Sequence, residues 1–162
     1  MAKKENKKTL IDLINQIDQK KQELKQLKKD YNAAFNEVTN SWIKEIKSLY
    51  PQLKSCNIGE YVGVDVTLNG KVYNIFISEN RQKLYCMFSL DRKDKNTALL
   101  KLQNEMNKED LEKLKLIFCN PSLRKGTSYS SHNSMFVYFK KEEYDKAYQF
   151  FLKVLSEFSK NI

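Results

Sequence analysis

The sequence predicts an α+β fold in which a long N-terminal coiled-coil helix precedes a two-layer domain. Residues 9–49 contain no Pro or Gly and repeat apolar residues at helical spacing. Residues 60–90 alternate apolar and polar residues around an Asn-Gly pair, and residues 141–159 form a second amphipathic pattern. We therefore predict a three-stranded antiparallel meander plus a fourth short strand, with helices on one face, in the order α-β-β-β-α-α-β-α.

The N-terminal helix carries a heptad pattern typical of coiled coils. Thr9 is predicted to cap its start, and Pro51 to end it. From Tyr31 onward the apolar residues become large and aromatic, which favours packing against a sheet. We predict a basic arm and coiled-coil stalk at 1–30 and a compact α+β domain at 31–162. The seam residues are Leu10, Leu13, Ile17, Leu24 and Leu27.

The seam needs a partner, because a lone amphipathic helix is only marginally stable in water. Pairing with a second copy predicts a homodimer through the N-terminal helix. Pairing with a foreign helix or groove predicts an interaction module instead. Both alternatives stay open on the sequence.

The meander is indicated by a hairpin signal at Asn69-Gly70. Strands are predicted at 60–68, 71–78 and 83–90, with a second turn at 79–82. Because side chains alternate along a strand, one side of the middle strand faces the core. Its residues are predicted to be Tyr73, Ile75 and Ile77.

The second half of the chain alternates helical and extended patterns. Asn107 is predicted to cap a helix, with Asp110 three positions further on. A polar loop is expected from Cys119 to Ser134. The predicted helices and strand lie at 96–105, 108–118, 135–139 and 141–159.

The charge is basic and unevenly distributed. The chain carries 29 Lys and Arg against 20 Asp and Glu, a net charge of +9, with an isoelectric point near 9.3. Residues 1–54 hold 12 basic and 7 acidic residues, residues 119–162 hold 7 and 4, and residues 55–91 hold 3 and 4. The excess predicts an acidic partner, either nucleic acid or an acidic protein surface.

The polar loop combines cations, hydroxyl groups and a glycine, the donors that a phosphate site uses. The alternative is an ordinary solvated loop, and the N-terminal lysines have the alternative role of keeping the stalk tip hydrated. The residues predicted to contact phosphate or an acidic partner are Arg124, Lys125, Ser128, Lys140, Lys141, Lys3, Lys4, Lys7 and Lys8.

Catalysis is not expected. In element order, residues 31–139 resemble the helix–three strands–helix–strand core of the PD-(D/E)XK nuclease superfamily. Such nucleases need acids on the second and third strands, whereas this chain has none at 71–78 and carries Cys86, Met87 and Phe88 on the third. Asp65 is expected on the solvent side of the first strand. No metal, cofactor or small-molecule substrate is predicted, and the pair His132 and Cys119 lacks an orienting acid.

Aromatic residues in the meander raise the alternative of a sheet that stacks RNA bases. The strands lack the glycine-aromatic signature of such sheets, and the segment is net acidic, so core packing and ordinary strand propensity are the better explanation for these aromatics. They are Tyr61, Tyr73, Phe76, Tyr85 and Phe88.

The sequence as a whole predicts a non-enzymatic, oligomeric basic protein that binds nucleic acid or acts beside a nucleic-acid machine through Lys/Arg–phosphate contacts. The alternative is an adaptor or inhibitor that docks on protein, such as a phage- or mobile-element-encoded inhibitor of a CRISPR nuclease. A cytoplasmic location is expected, because no secretory start or membrane-length apolar run is present. The three cysteines are then reduced, with Cys86 buried.

Overall fold

The computed structural model of the chain describes residues 2–53, 56–58, 61–80, 83–90, 102–119, 128–129 and 134–162. It confirms the α+β fold and the predicted order of the main elements. The helices are α1 Ala2–Leu49, α2 Leu102–Glu105, α3 Lys108–Phe118 and α4 Tyr144–Glu157, with 3₁₀ turns at Lys141–Glu143 and Ser159–Asn161. The strands are β1 Asn57–Ile58, β2 Tyr61–Leu68, β3 Lys71–Asn80, β4 Lys83–Leu90, β5 Ser128–Tyr129 and β6 Ser134–Lys140.

Helix α1 begins at Ala2, so the predicted cap at Thr9 is wrong. The residues before Thr9 include alanine, lysine and glutamate, which are strong helix formers, and no Gly or Pro interrupts them. The predicted basic arm is therefore helical from Ala2. The helix ends at Leu49, two residues before Pro51, as predicted.

The chain divides into two compact units, Met1–Ser41 and Trp42–Ile162. The predicted domain boundary, between residues 30 and 31, lies earlier in the chain than this division. It lies where the apolar residues of the helix become large and aromatic. Burial begins later, since Tyr31 is still exposed and Trp42 is the first buried residue of the described helix.

The sheet of the second unit is antiparallel throughout, in the order β1-β2-β3-β4-β6-β5. The Asn-Gly hairpin is confirmed, because Leu68 pairs with Lys71 and both turn residues have positive φ, 49° at Asn69 and 76° at Gly70. The predicted second turn is shorter, since residues 79 and 80 extend β3 and pair with residues 84 and 83. Two-residue strands β1 and β5 at the sheet edges were not predicted.

The core lies between one face of the sheet and helices α3 and α4. Tyr73, Ile75 and Ile77 of β3 are buried there, as predicted. The ring of Phe88 lies 5.2 Å from that of Phe158 at the end of α4, between ring centroids. Helix α4 buries most of its predicted apolar face, although Tyr144 is exposed. Residues 96–101 of the predicted first helix after the meander lie outside the described residues.

The end of α1 packs on α4 within the second unit. Trp42 and Tyr148 stack with ring centroids 4.8 Å apart and planes 4° from parallel. The Tyr148 hydroxyl donates a hydrogen bond of 2.8 Å to Glu45 Oε2. The pKa of Tyr148 is raised above the ordinary tyrosine value. Burial is the larger cause, and the hydrogen bond to Glu45 is the second.

Local capping follows the sequence at α3. The Asp110 amide donates a 2.7 Å hydrogen bond to Asn107 Oδ1, so the predicted N-cap at Asn107 is confirmed. Within the described ranges, no helix offers an apolar stretch long enough to cross a bilayer.

Candidate nucleic-acid interface

The second face of the sheet, opposite the core, carries the candidate interface. Strand β4 directs Leu84, Cys86 and Phe88 into the core, where all are fully buried. Because strand side chains alternate, Lys83, Tyr85, Met87 and Ser89 lie on the second face.

The register carries this face across neighbouring strands. Tyr85 is opposite Tyr138 of β6, Met87 is opposite Phe136, and Phe76 of β3 is opposite Met87. We call Phe76, Tyr85, Phe136 and Tyr138 the aromatic face. All four side chains are half-buried, whereas the core-face aromatics Tyr73 and Phe88 are fully buried.

The rings of the aromatic face form one connected series. Ring centroids are 6.2 Å apart for Phe76 and Tyr85, 6.1 Å for Tyr85 and Tyr138, and 5.1 Å for Phe136 and Tyr138. The ring planes of each pair meet at 65–73°, which is the edge-to-face arrangement that aromatic quadrupoles favour. Each ring therefore meets its neighbour by an edge instead of being stacked face to face on it.

Two lysines lie at one end of the aromatic face. Lys83 and Lys140 are directly opposite each other on β4 and β6, and both side chains are exposed. Lys83 Nζ lies 5.3 Å from the centroid of the Tyr138 ring, within cation–π range. Neither lysine forms an ion pair with any residue that the structure describes. We call Lys83 and Lys140 the lysine pair.

Polar side chains occupy the other end of the same face. Asn74, Ser89 and Ser134 are buried across three neighbouring strands. Asn74 Nδ2 donates a 2.6 Å hydrogen bond to Asp65 Oδ1. Asp65 itself is exposed, as predicted for the solvent side of β2.

The charged side chains of the sheet are distributed differently on its two faces. Glu79 of β3 follows the core-side residue Ile77 in the alternation and forms an ion pair with Lys141. Lys71 pairs with Glu105 of α2. On the second face, the charged side chains that the structure describes in β2, β3, β4 and β6 are Asp65 at one end and the lysine pair at the other. The four residues of β4 on this face, from Lys83 to Ser89, span about 20 Å along the strand, so acid and cations lie well apart.

The structure places the predicted contact residues in several different settings. Lys140 belongs to the lysine pair, whereas Lys141 starts the 3₁₀ turn after β6 and pairs with Glu79. Ser128 lies on edge strand β5, opposite Phe136 of β6. Arg124 and Lys125 lie outside the described residues. Lys3, Lys4, Lys7 and Lys8 lie on helix α1, with Lys7 and Lys8 exposed.

Core packing explains two of the four meander aromatics whose side chains the structure describes, and Phe76 lies off the core side, as the alternation on β3 predicts. Tyr73 and Phe88 are core residues, but Phe76 and Tyr85 lie half-buried on the second face. The sequence also missed Lys83, Phe136 and Tyr138 as site residues. The alternation of residues 134–140 signals a two-sided strand, but it does not identify the strand that pairs with it.

The predicted seam of α1 lies at the surface of the chain. Its side chains are 50–64% exposed, and Lys20, which occupies a seam position, pairs with Glu23 at 2.7 Å. This hydrogen bond and the charge of Lys20 lower the pKa of Glu23. The exposed apolar residues of the seam are Leu10, Leu13, Ile17, Leu24 and Leu27.

The thiol groups show no catalytic arrangement within the described chain. Cys86 is fully buried, as predicted, and burial raises its pKa. Cys56 is also buried, its pKa is raised by burial, and its Sγ donates to the Ile43 carbonyl at 3.6 Å. Cys119 is exposed, and His132 lies outside the described residues. Across the parts that the structure describes, no group of three His, Cys, Asp or Glu side chains is arranged to hold a metal ion.

Comparison with protein-family models, with curated proteins and with solved structures finds no match to this chain.

Proposed function

We propose that the protein is a non-enzymatic, dimeric nucleic-acid-binding protein of the cytoplasm that contacts phosphates through lysine and arginine. The observation that carries the proposal is the lysine pair. Like charges directly opposite each other across two strands destabilise a sheet. An anionic ligand that lies between the two ammonium groups offsets that repulsion.

The position of the lysine pair suits a phosphate chain. Phosphate contacts from lysine provide affinity without reading sequence. Among the second-face side chains that the structure describes in these strands, the acid is Asp65. It lies about 20 Å from the lysine pair along the strands and already accepts a hydrogen bond from Asn74. The basic balance of residues 1–54 and 119–162 adds long-range attraction for the same ligand.

Dimerisation through the seam supports the same function. Two copies would present two lysine pairs to one nucleic-acid chain, and the second contact then becomes intramolecular. The seam residues each leave half or more of their surface in water, which is the surface that a second copy would cover.

Salt-dependent binding of a labelled single strand tests the proposal. Affinity is measured by fluorescence anisotropy between about 50 and 200 mM salt. The double variant Lys83→Gln/Lys140→Gln is expected to bind more weakly and to lower the log–log salt slope by about 1.4, since each phosphate contact on a single strand contributes about 0.7.

The matched control is Lys153→Gln/Lys160→Gln, which removes the same charge from exposed positions at the C-terminal end of the chain and is expected to keep the wild-type slope. Equal slopes for the two double variants would remove the lysine pair from the proposal, and no binding at the lowest salt would overturn it.

A protein-docking module is the second candidate, favoured by the exposed seam of α1. An adaptor or inhibitor would insert this apolar stripe into a helix or groove of its target. Purification from the native cells with and without nuclease separates the two candidates. A partner that survives digestion and is lost with the variant Leu24→Ala supports docking, whereas partners that vanish on digestion support nucleic acid.

A further inference from the structure

The aromatic face needs an explanation that core packing does not supply. The rings of Tyr73 and Phe88 are fully buried under the helices, but those of Phe76, Tyr85, Phe136 and Tyr138 remain half-buried on the opposite side of the sheet. Cross-strand aromatic pairs stabilise a sheet, and apolar surface that stays partly exposed and is rimmed by polar residues is also where soluble folds bind partners.

We infer that the aromatic face and the adjoining lysine pair form a binding site for single-stranded nucleic acid, in which unpaired bases stack on the rings. This inference rests on the proposed function and deepens it by naming the form of nucleic acid and the face that binds it. The phosphates would lie against Lys83 and Lys140, and the bases would lie over Phe136 and Tyr138.

The chemistry of the face matches this ligand in three respects. Aromatic rings offer stacking surface to any base, which is sequence-tolerant because every base has a π-face. The lysine pair supplies charge complementarity at one end of the aromatic face. The span of about 20 Å from Lys83 to Ser89 suits the two or three bases that aromatic side chains stack on an RNA-binding sheet.

The strand form of the ligand follows from the position of the site on the face of a sheet. Bases within a duplex are already stacked on each other, so their faces are not available to side chains. A sheet face cannot enter a duplex groove in the way that a helix or a two-stranded ribbon does. Single strands expose base faces and phosphates together, and this combination corresponds to rings beside lysines.

The contact between Lys83 and Tyr138 fits within this picture. The ammonium lies 5.3 Å from the ring centroid, and cation–π contacts at exposed positions are weak. A base that stacks on Tyr138 would therefore displace the ammonium toward a phosphate, where its charge is paired more favourably.

The test compares probes on the wild-type chain before any residue is changed. The probes are an oligothymidylate of about 12 nucleotides, within the site size of single-strand-binding folds, the matching oligouridylate, an abasic strand with the same number of phosphates, and a duplex of the same length. We expect the base-containing single strands to bind at least about 10-fold more tightly than the abasic strand, because each stacked base contributes about 5- to 150-fold. The uridylate arm shows whether the sugar matters, and tight binding of either single strand supports the inference.

Variants then locate the stacking surface. Phe136→Leu and Tyr138→Leu keep apolar volume while removing the ring, and each is expected to weaken oligothymidylate binding about 10-fold with an unchanged salt slope. The matched control is Tyr144→Leu, which removes a tyrosine that is 42% exposed on α4 and is expected to bind as the wild type does. Circular dichroism and thermal unfolding establish that each variant is folded.

The outcomes separate this inference from the proposed function. Equal affinity for the abasic and base-containing strands, or a preference for the duplex, overturns the base-stacking site but leaves phosphate binding in place. Folded ring variants that bind as the wild type does also overturn it, and a protein ligand for this face would then be the better explanation. Absence of binding to all four probes at low salt overturns the proposed function itself.

Discussion

Replacing Leu24 by alanine is expected to weaken self-association of the chain about 30-fold. Leu24 lies in the middle of the α1 seam and is 54% exposed. Alanine has the highest helix propensity, so the substitution shortens the seam side chain without weakening the helix itself. The change therefore tests the seam and not the helical structure.

The magnitude follows from the exposed fraction of the side chain. Complete burial of a leucine side chain contributes about 1.5–3 kcal/mol, and dimerisation can bury about half of Leu24, so each copy contributes about 1 kcal/mol. A symmetric dimer loses that contribution twice, about 2 kcal/mol in total. Since every 1.4 kcal/mol changes a dissociation constant tenfold, the dimer dissociation constant should rise about 30-fold.

Sedimentation equilibrium over a wide concentration range measures the dissociation constant directly. The matched control is Leu116→Ala on α3, where the leucine is 77% exposed and lies outside the seam. This variant should associate as the wild type does. A wild-type chain that stays monomeric, or equal dissociation constants for the two alanine variants, would refute the seam as a dimer interface.

Three further predictions concern the second unit. Tyr73→Phe should raise the free energy of unfolding by about 1 kcal/mol in urea titrations, because the buried Tyr73 hydroxyl has no hydrogen-bond partner among the described residues. Tyr148→Phe should lower it by about 1 kcal/mol by removing the bond to Glu45. Since the pKa of Tyr148 is raised, its contribution is complete below about pH 10 and decreases as the pH rises further, so the variant should lose less stability above pH 10 than the wild type. Gly70→Ala should cost about 1 kcal/mol and lower the melting temperature, because φ is 76° there.

The two tyrosine variants control for each other, since both delete one hydroxyl group from a buried ring. Destabilisation by Tyr73→Phe would show that its hydroxyl is hydrogen-bonded in solution. A pH profile for Tyr148→Phe that runs parallel to that of the wild type would remove Tyr148 as a source of the alkaline loss. No atom lies within 4 Å of a side chain added at Gly70, so an unchanged melting temperature for Gly70→Ala would contradict the backbone explanation.

Local elements were predictable where nearby residues determine them. The Asn-Gly hairpin and the Asn107 cap each depend on fewer than five consecutive residues, and both are confirmed. The helix pattern from Thr9 to Leu49 was equally clear, but its start was not. The residues before Thr9 include good helix formers. The helix therefore already includes them, and Thr9 lies inside it instead of capping its start.

The faces of the sheet were predictable only in part. Alternation on β3 correctly assigned Tyr73, Ile75 and Ile77 to the core. The same alternation correctly placed Phe76 on the other side. Tyr85 was not assigned to a face, because one explanation given to all the meander aromatics together ignores that a strand sends neighbouring side chains to opposite faces.

By itself, the sequence determined the α+β class, the order of the main elements, the amphipathic helix pattern and the basic charge, because these depend on local spacing and composition. Only the tertiary structure decided that β4 pairs with β6, which places Lys83 opposite Lys140 and Tyr85 opposite Tyr138. The two strands are separated by more than forty residues of sequence, and a shift of one residue in their register would send every side chain to the other face. The candidate interface exists through that pairing, which no local pattern specifies.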